Sequence, residues 1–304
     1  MKDFSPPIKN MMRTVALCAV VYAAVITAMV TRVINAFTFS VVVTLCINVI
    51  LACSLNIVAG YTGQFSLGHA GFMSIGAYAC ALIILRYPTV VGFYAALLAA
   101  ALSAAAVGIV VGLPALRLRG DYLAIATLGM AEIIRVTFLN MKVTNGAAGL
   151  SYLPQLVNWN RLYLCTAGSL ILMANFVNSS PGRACISIRE DEIAAEAMGI
   201  DTTKYKVMAF SIGAFFAGIA GALYAAYFYF IKPDLFGFAK SIDILVIVVV
   251  GGMGSLTGSV IASVLLVLLS TALQRYATWR MILYALLLIG IMLFRPQGLL
   301  GKKN

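Results

Sequence analysis

Charge is scarce in this chain. Of its 304 residues, 10% are charged, against about 25% in ordinary soluble domains. Hydrophobic residues make up 62%. A soluble fold of this length has no interior large enough to hide that much apolar surface, so a soluble architecture is excluded. Strict alternation of apolar and polar residues is also missing. The runs 40–59 and 93–113 do not alternate, which excludes a membrane β-barrel. The remaining class is all-α, a polytopic transmembrane helical bundle in a lipid bilayer.

Other absences narrow the function. Acidic residues number 10 against 21 Lys and Arg, for a formal charge of +11. The basic residues fall mostly between apolar runs, as loop anchors do, and form no patch interleaved with aromatics. Nucleic acid is therefore excluded as a partner. The six cysteines, at 18, 46, 53, 80, 165 and 185, contain no C-x-x-C pair. They read as small apolar packing residues, with no disulfide framework and no metal site. No G-x-x-x-x-G-K-[ST] loop occurs, so this chain is not expected to bind or hydrolyse ATP in that way. No nucleophile elbow or zinc signature is present, and His69 is the only histidine. The chain is not expected to be an enzyme. Its N-terminal apolar run, 14–31, lacks a clean small-residue cleavage site and reads as a retained first span.

A helix needs about 20 residues to cross a bilayer. Candidate spans are 14–31, 37–59, 65–85, 89–114, 121–140, 161–178, 206–231 and 280–294. The stretch 241–274 is too long for one span and is interrupted by "GGMGSLTG" at 251–258. It reads as two shorter helices or a re-entrant pair, giving about 8–10 membrane segments in a single domain, 1–304. With the N-terminus inside and 241–274 returning to its side of entry, Lys and Arg are in excess on the inner side.

Glycine is abundant where a membrane helix would not ask for it. The stretch "SLNIVAGYTGQFSLGHAGFMSIGAY" carries glycines at 60, 63, 68, 71 and 76. "VAGYTGQ" at 58–64 and "VVGGMGS" at 249–255 share G-x-x-G after an apolar helix. Paired glycine interruptions in two halves of a transporter mark broken helices beside a pathway; close helix packing is the other reading. On the first reading Gly60, Gly63, Gln64, Ser66, Gly68 and His69, with Gly251, Gly252 and Gly254, border a polar turn whose backbone is exposed to a watery cavity. On the second they are packing residues, and His69 is a hydrogen-bonded structural residue. Glu132 and Arg135 lie three apart inside a span, on one helical face. A charge there costs about 2.5–3.5 kcal/mol on insertion scales. They read as a pair buried at a helix interface, or as a gate or substrate contact centred on Glu132. In 206–231 two ladders of small residues, Gly213/Ala217/Gly221/Ala225 and Ala214/Gly218/Ala222/Ala226, point to close helix contacts.

The polar exception is 181–206, "PGRACISIREDEIAAEAMGIDTTKYK", which holds half of the acidic residues. Acids at 190–192 suit a helix N-terminus, and Gly199 suits its end. Ile193, Ala194, Ala197 and Met198 form a narrow apolar stripe. A short amphipathic helix follows, either solvated or docked against another protein.

"SLNIVAGYTGQFSLGHAGFMSIGAY", "LRLRGDYLAIATLGMAEIIRV", "IREDEIAAEAMGIDTTKYKVMAFSIGAFFAGIAGAL", "VVVGGMGSLTGSVIA" and "FRPQGLL" together resemble the LivM-type permeases of branched-chain amino acid ABC importers, over about residues 40–300. The resemblance implies a multi-pass protein of the bacterial inner membrane. It implies pairing with a LivH-type permease, two cytoplasmic ATPase subunits that bind ATP and Mg, and a periplasmic substrate-binding protein delivering leucine, isoleucine or valine. No cofactor is implied on this chain. The segment matching 188–204 resembles the helix that seats in the ATPase cleft. On that basis Arg189, Glu190, Asp191, Glu192, Ile193, Glu196, Ala197 and Gly199 are the expected coupling residues, within a cytoplasmic loop 181–206. Related permeases carry urea or short amides, which keeps a second substrate class open. An ion-coupled secondary transporter is the rival mechanism, disfavoured because only Glu132 is a deeply placed carboxylate.

Overall fold

The computed structural model describes residues 22, 35–116, 118, 120–274, 286, 290, 298 and 299. Two compact units divide the chain, 1–43 and 44–304. Of the first, the described part is Tyr22 and the residues that open helix α1, Ala36–Asn56.

In the second unit α1 runs into a π-helical turn, Ile57–Tyr61, and the chain unwinds over 62–68. Helix α2, His69–Arg86, follows. Helix α3, Val90–Ala115, starts at Thr89, whose hydroxyl accepts the Gly92 N–H at 3.0 Å. Helix α4 is Asp121–Asn140 and α5 is Trp159–Asn178. Helix α6, Ser180–Glu190, departs from α5 at 65°. Ser179 caps it and Pro181 occupies its first turn, a combination that starts a new helix because proline lacks the donor a continuing helix requires. Helix α7 is Glu192–Ala197 and α8 is Thr202–Tyr227. Helices α9, Phe238–Gly251, and α10, Leu256–Ala272, complete the described bundle. Strand β1, Leu150–Ser151, pairs antiparallel with β2, Phe230–Ile231, tying the α4–α5 and α8–α9 connections together.

Among the described residues, five helical segments are long and apolar enough to cross a membrane: Ala36–Tyr61, α2, α3, α4 and α8, with the bent pair α5–α6 as a sixth. The architecture is the expected polytopic helical bundle. The expected spans 14–31 and 280–294 lie outside the described residues. The stretch 241–274 is two short helices, α9 and α10, separated at 252–255.

Helix α8 is the hub, packed against α2 and α3. Its small-residue ladders are the reason. A Cβ on Gly218 would stand 2.6 Å from the Ala100 carbonyl oxygen and 2.7 Å from the Ala104 Cβ, and one on Gly221 would collide with the Met73 carbonyl. Small side chains let the three backbones approach this closely, and in lipid such contact stands in for a hydrophobic driving force. Tyr78, 1% exposed, stacks on Phe138 at 4.4 Å and joins α2 to α4. Helix α4 is covered on one side only, with 22% of its most apolar stretch buried.

Candidate functional site

The two glycine-rich interruptions meet. A Cβ on Gly60 would collide with Asn56 Oδ1 and with the backbone nitrogen of Gly254, so only glycine admits the 252–255 break at this distance. Asn56, fully buried in α1, holds that break. Its Oδ1 accepts the Gly254 N–H at 2.8 Å; its Nδ2 donates to the Ser255 carbonyl at 2.9 Å and to Ser259 Oγ at 2.7 Å. Gly251 faces Gly258 where α9 and α10 cross.

A third segment arrives at the same point. Arg189, next to last in α6, donates from Nη1 to the Gly60 carbonyl at 2.6 Å. A Cβ on Gly254 would stand 2.6 Å from that Nη1, and one on Gly63 3.4 Å from Arg189 Cγ. Three sequence features that lay far apart thus form one junction. The glycine breaks therefore sit at the same end of the bundle as the charged segment.

The other residues of the 60–69 stretch are divided. Gln64 is 3% exposed, and neither of its amide atoms has a hydrogen-bond partner among the described residues. Ser66 is buried, and its hydroxyl accepts the Gly68 N–H at 3.4 Å. Gly68 lies against the Thr127 backbone of α4, and Thr127 Oγ1 accepts the Leu67 N–H at 3.1 Å. His69 is 3% exposed, with Nε2 2.7 Å from Ser54 Oγ. Ser54 also donates to the Leu51 carbonyl at 2.9 Å, so the Nε2 proton completes the pair as donor. The ring is a clasp between α1 and α2.

Glu132 stands apart from this junction. Arg135 joins it to Asp234 of the turn Pro233–Phe236: Nη1 is 2.9 Å from Asp234, and Nε is 3.0 Å from Glu132. The Glu132 side chain is 49% exposed. The expectation of a pair buried at a helix interface does not describe it within this chain; the pair lies on the open face of α4, beside Ile133 and Val136. Asp234 was missed because it lies 99 residues from Arg135. Asn56 carried an unused signal: an amide inside a long apolar run is a polar tie between membrane helices.

The charged segment is more ordered than a single amphipathic helix. Residues 180–190 are already α6, and Glu190 ends that helix. The acid that starts the next is Asp191, whose carboxylate accepts the N–H groups of Ile193 and Ala194 at 2.9 and 3.0 Å. Gly199, at φ +82, closes α7. The Ile200 N–H reaches the Ala195 carbonyl at 3.1 Å and the Gly199 N–H reaches that of Glu196 at 2.9 Å, the paired bonds of a Schellman stop. Lys206 on α8 grips Glu192 at 2.7 Å. Ala195 is the residue α7 buries; Ile193 and Met198 are 75% and 83% exposed. The expected apolar stripe, Ile193, Ala194, Ala197 and Met198, therefore faces outward, with Glu196 beside it. Arg189 does not share that face; it turns into the glycine junction. Among the described residues no group of His, Cys, Asp and Glu is arranged to hold a metal ion.

Comparison with known proteins decides the family. Residues 36–294 match the family described as "Branched-chain amino acid transport system / permease component". The chain belongs to this permease family. The permease is 38% identical to the high-affinity branched-chain amino acid transport system permease protein LivM of Salmonella typhimurium, over 74% of this chain and 61% of the relative. The match to LivM of Escherichia coli K12 has the same identity and coverage. It is 29% identical to LivH of Escherichia coli K12 over 46% of each chain. The permease thus spans about three-fifths of the length of the LivM relatives it matches. No solved structure matches it.

Proposed function

We propose that this permease is a transmembrane subunit of an ATP-driven importer for branched-chain amino acids in a bacterial inner membrane. A second, LivH-type permease shares the translocation pathway, and two cytoplasmic ATPase subunits bind ATP and Mg. A periplasmic binding protein delivers leucine, isoleucine or valine. Segment 181–206 is the cytoplasmic coupling loop within one permease domain, 1–304, and α7 is the part that docks in the ATPase.

One observation carries the docking assignment. Helix α7 is six residues long, too short to be stable alone in water. It is nevertheless capped at both ends, anchored through Glu192 to Lys206, and turns Ile193 and Met198 outward. Such rigidity around an exposed apolar pair fits a surface prepared for a protein groove. The glycine junction, with Gly60, Gly63, Gln64, Gly252 and Gly254, lies beside the pathway on this reading, and Glu132 faces the partner permease or the pathway.

The test uses the assembled importer in nanodiscs and proteoliposomes. Glu192→Lys removes the Lys206 contact and places a positive charge in the first turn, a change of about 0.3–1 kcal/mol in the dipole interaction. Ala197→Trp props the exposed face away from a groove. Both variants should copurify with the second permease while binding-protein-stimulated ATP hydrolysis and leucine uptake fall. Wild-type rates in both would make α7 an ordinary solvated helix. Faster uptake of urea or acetamide than of leucine would move the substrate to the amide class.

A further inference from the structure

We propose that Arg189 is a positioning residue that transmits movement of the coupling segment to the two broken helices. The inference rests on the functional reading above and adds the connection through which it works.

The first observation is the contact itself. The unwinding at 62–68 leaves the carbonyls at the end of the 57–61 turn without successive helical donors. Arg189 supplies one at Gly60, 2.6 Å away. The same guanidinium packs over Gly254, and its stem lies over Gly63. One side chain therefore touches both glycine breaks. Asn56 locks those breaks to each other through Gly254, Ser255 and Ser259, so a pull on one reaches the other.

The second observation is the position of Arg189 in the chain. It lies two residues before Asp191, the cap of α7. Glu190 and Asp191 are the only residues between the Arg189 backbone and a helix whose outward face awaits a partner. Displacement of α7 must move the guanidinium or break its bond to Gly60.

The third is room to move. A cavity of about 270 Å³ borders the junction, lined among others by Thr62, Gly63, Gln64, Ile188, Asp191 and Lys206. Gln64 is buried at its wall with both amide atoms unpartnered among the described residues. Buried amides are almost always hydrogen-bonded, so the non-helical element 62–68 carries donor and acceptor capacity that a second arrangement, or water in the cavity, would use. Arg189 is attached next to that element, at Gly63.

The experiment uses the complete importer, with both permeases, the ATPases and the binding protein. Leucine uptake per ATP hydrolysed is the readout, because a residue that served stability alone would lower both quantities together. Arg189→Ala should reduce the ratio at least tenfold. Arg189→Lys, which keeps one donor within reach of Gly60, should restore at least a third of the ratio. An unchanged ratio in Arg189→Ala overturns the proposal. A second measurement keeps Arg189 in place. With the native cysteines replaced, Gln64→Cys should react with a maleimide at rates differing at least fivefold between nucleotide-free and vanadate-trapped complexes; equal rates also overturn it. Absence of ATP-driven uptake by the wild-type complex would instead remove the functional reading, and this inference with it.

Discussion

Replacing Asn56 by leucine is a direct test of how the broken helices are held. The side chains are similar in volume, so the change removes hydrogen bonds with little change in packing. Three short bonds are lost, to the Gly254 N–H, the Ser255 carbonyl and Ser259 Oγ, with a long one to the Gly252 carbonyl at 3.5 Å. Interhelical hydrogen bonds in membranes average about 0.6 kcal/mol, giving about 2 kcal/mol. The groups left behind differ in their fate. The Ser255 carbonyl still receives the Ser259 hydroxyl at 3.2 Å and its N–H at 3.1 Å. The part-buried Gly254 N–H loses its acceptor, and a stranded donor adds about 1–3 kcal/mol. The expected destabilisation is therefore about 3–5 kcal/mol, read as the unfolding free energy in mixed micelles or by steric trapping in bicelles. Asn178→Leu is the control: it removes an exposed bond to the Ala174 carbonyl of its own helix and should stay within about 0.5 kcal/mol. A loss below about 1 kcal/mol for Asn56→Leu would refute the argument, because Gly60 and the 252–255 break would then be held by packing alone.

Three further outcomes are expected. Gly218→Leu should abolish folded protein on size exclusion, since its Cβ already has the Ala100 carbonyl at 2.6 Å, whereas Gly129→Ala, with nothing within 4 Å, should leave the folded fraction unchanged. Arg135→Leu strands both Glu132 and Asp234 and should reduce the folded yield more than Asp234→Asn, which leaves the Glu132 contact intact; equal yields would mean that the triad is not a unit. His69→Gln should lower thermal stability while leaving the pH profile of uptake between about pH 5 and 8 unchanged, and a flattened profile would make His69 a proton carrier in place of a clasp to Ser54.

Much of the fold was legible because lipid imposes so few solutions. Length and apolarity were enough to mark α3 and α4, and the ladders in 206–231 marked the hub helix before its neighbours were visible. The break in 241–274 was legible from its glycines. Other features depended on distance in the chain. The bond of Arg189 to Gly60 spans 129 residues and that of Asn56 to Gly254 spans 198, and no local pattern encodes such pairings. The segment 181–206 misled in a different way. Its acids were read together as one helix start, yet Glu190 closes α6 and only Asp191 caps α7. The cue for the extra helix, a capping serine followed by proline at 179–181, was present and outweighed by the charge. Gly218 and Gly221 pack as the ladders implied, and Gly60, which carried two readings, lies in close backbone contact with the break at Gly254.

The most direct measurement is leucine uptake by proteoliposomes containing this permease, a LivH-type permease and their ATPase subunits. Leucine should accumulate against its gradient only with ATP on the ATPase side and the binding protein on the other. Concentrative uptake by this chain alone, driven by a proton or sodium gradient, would contradict the account.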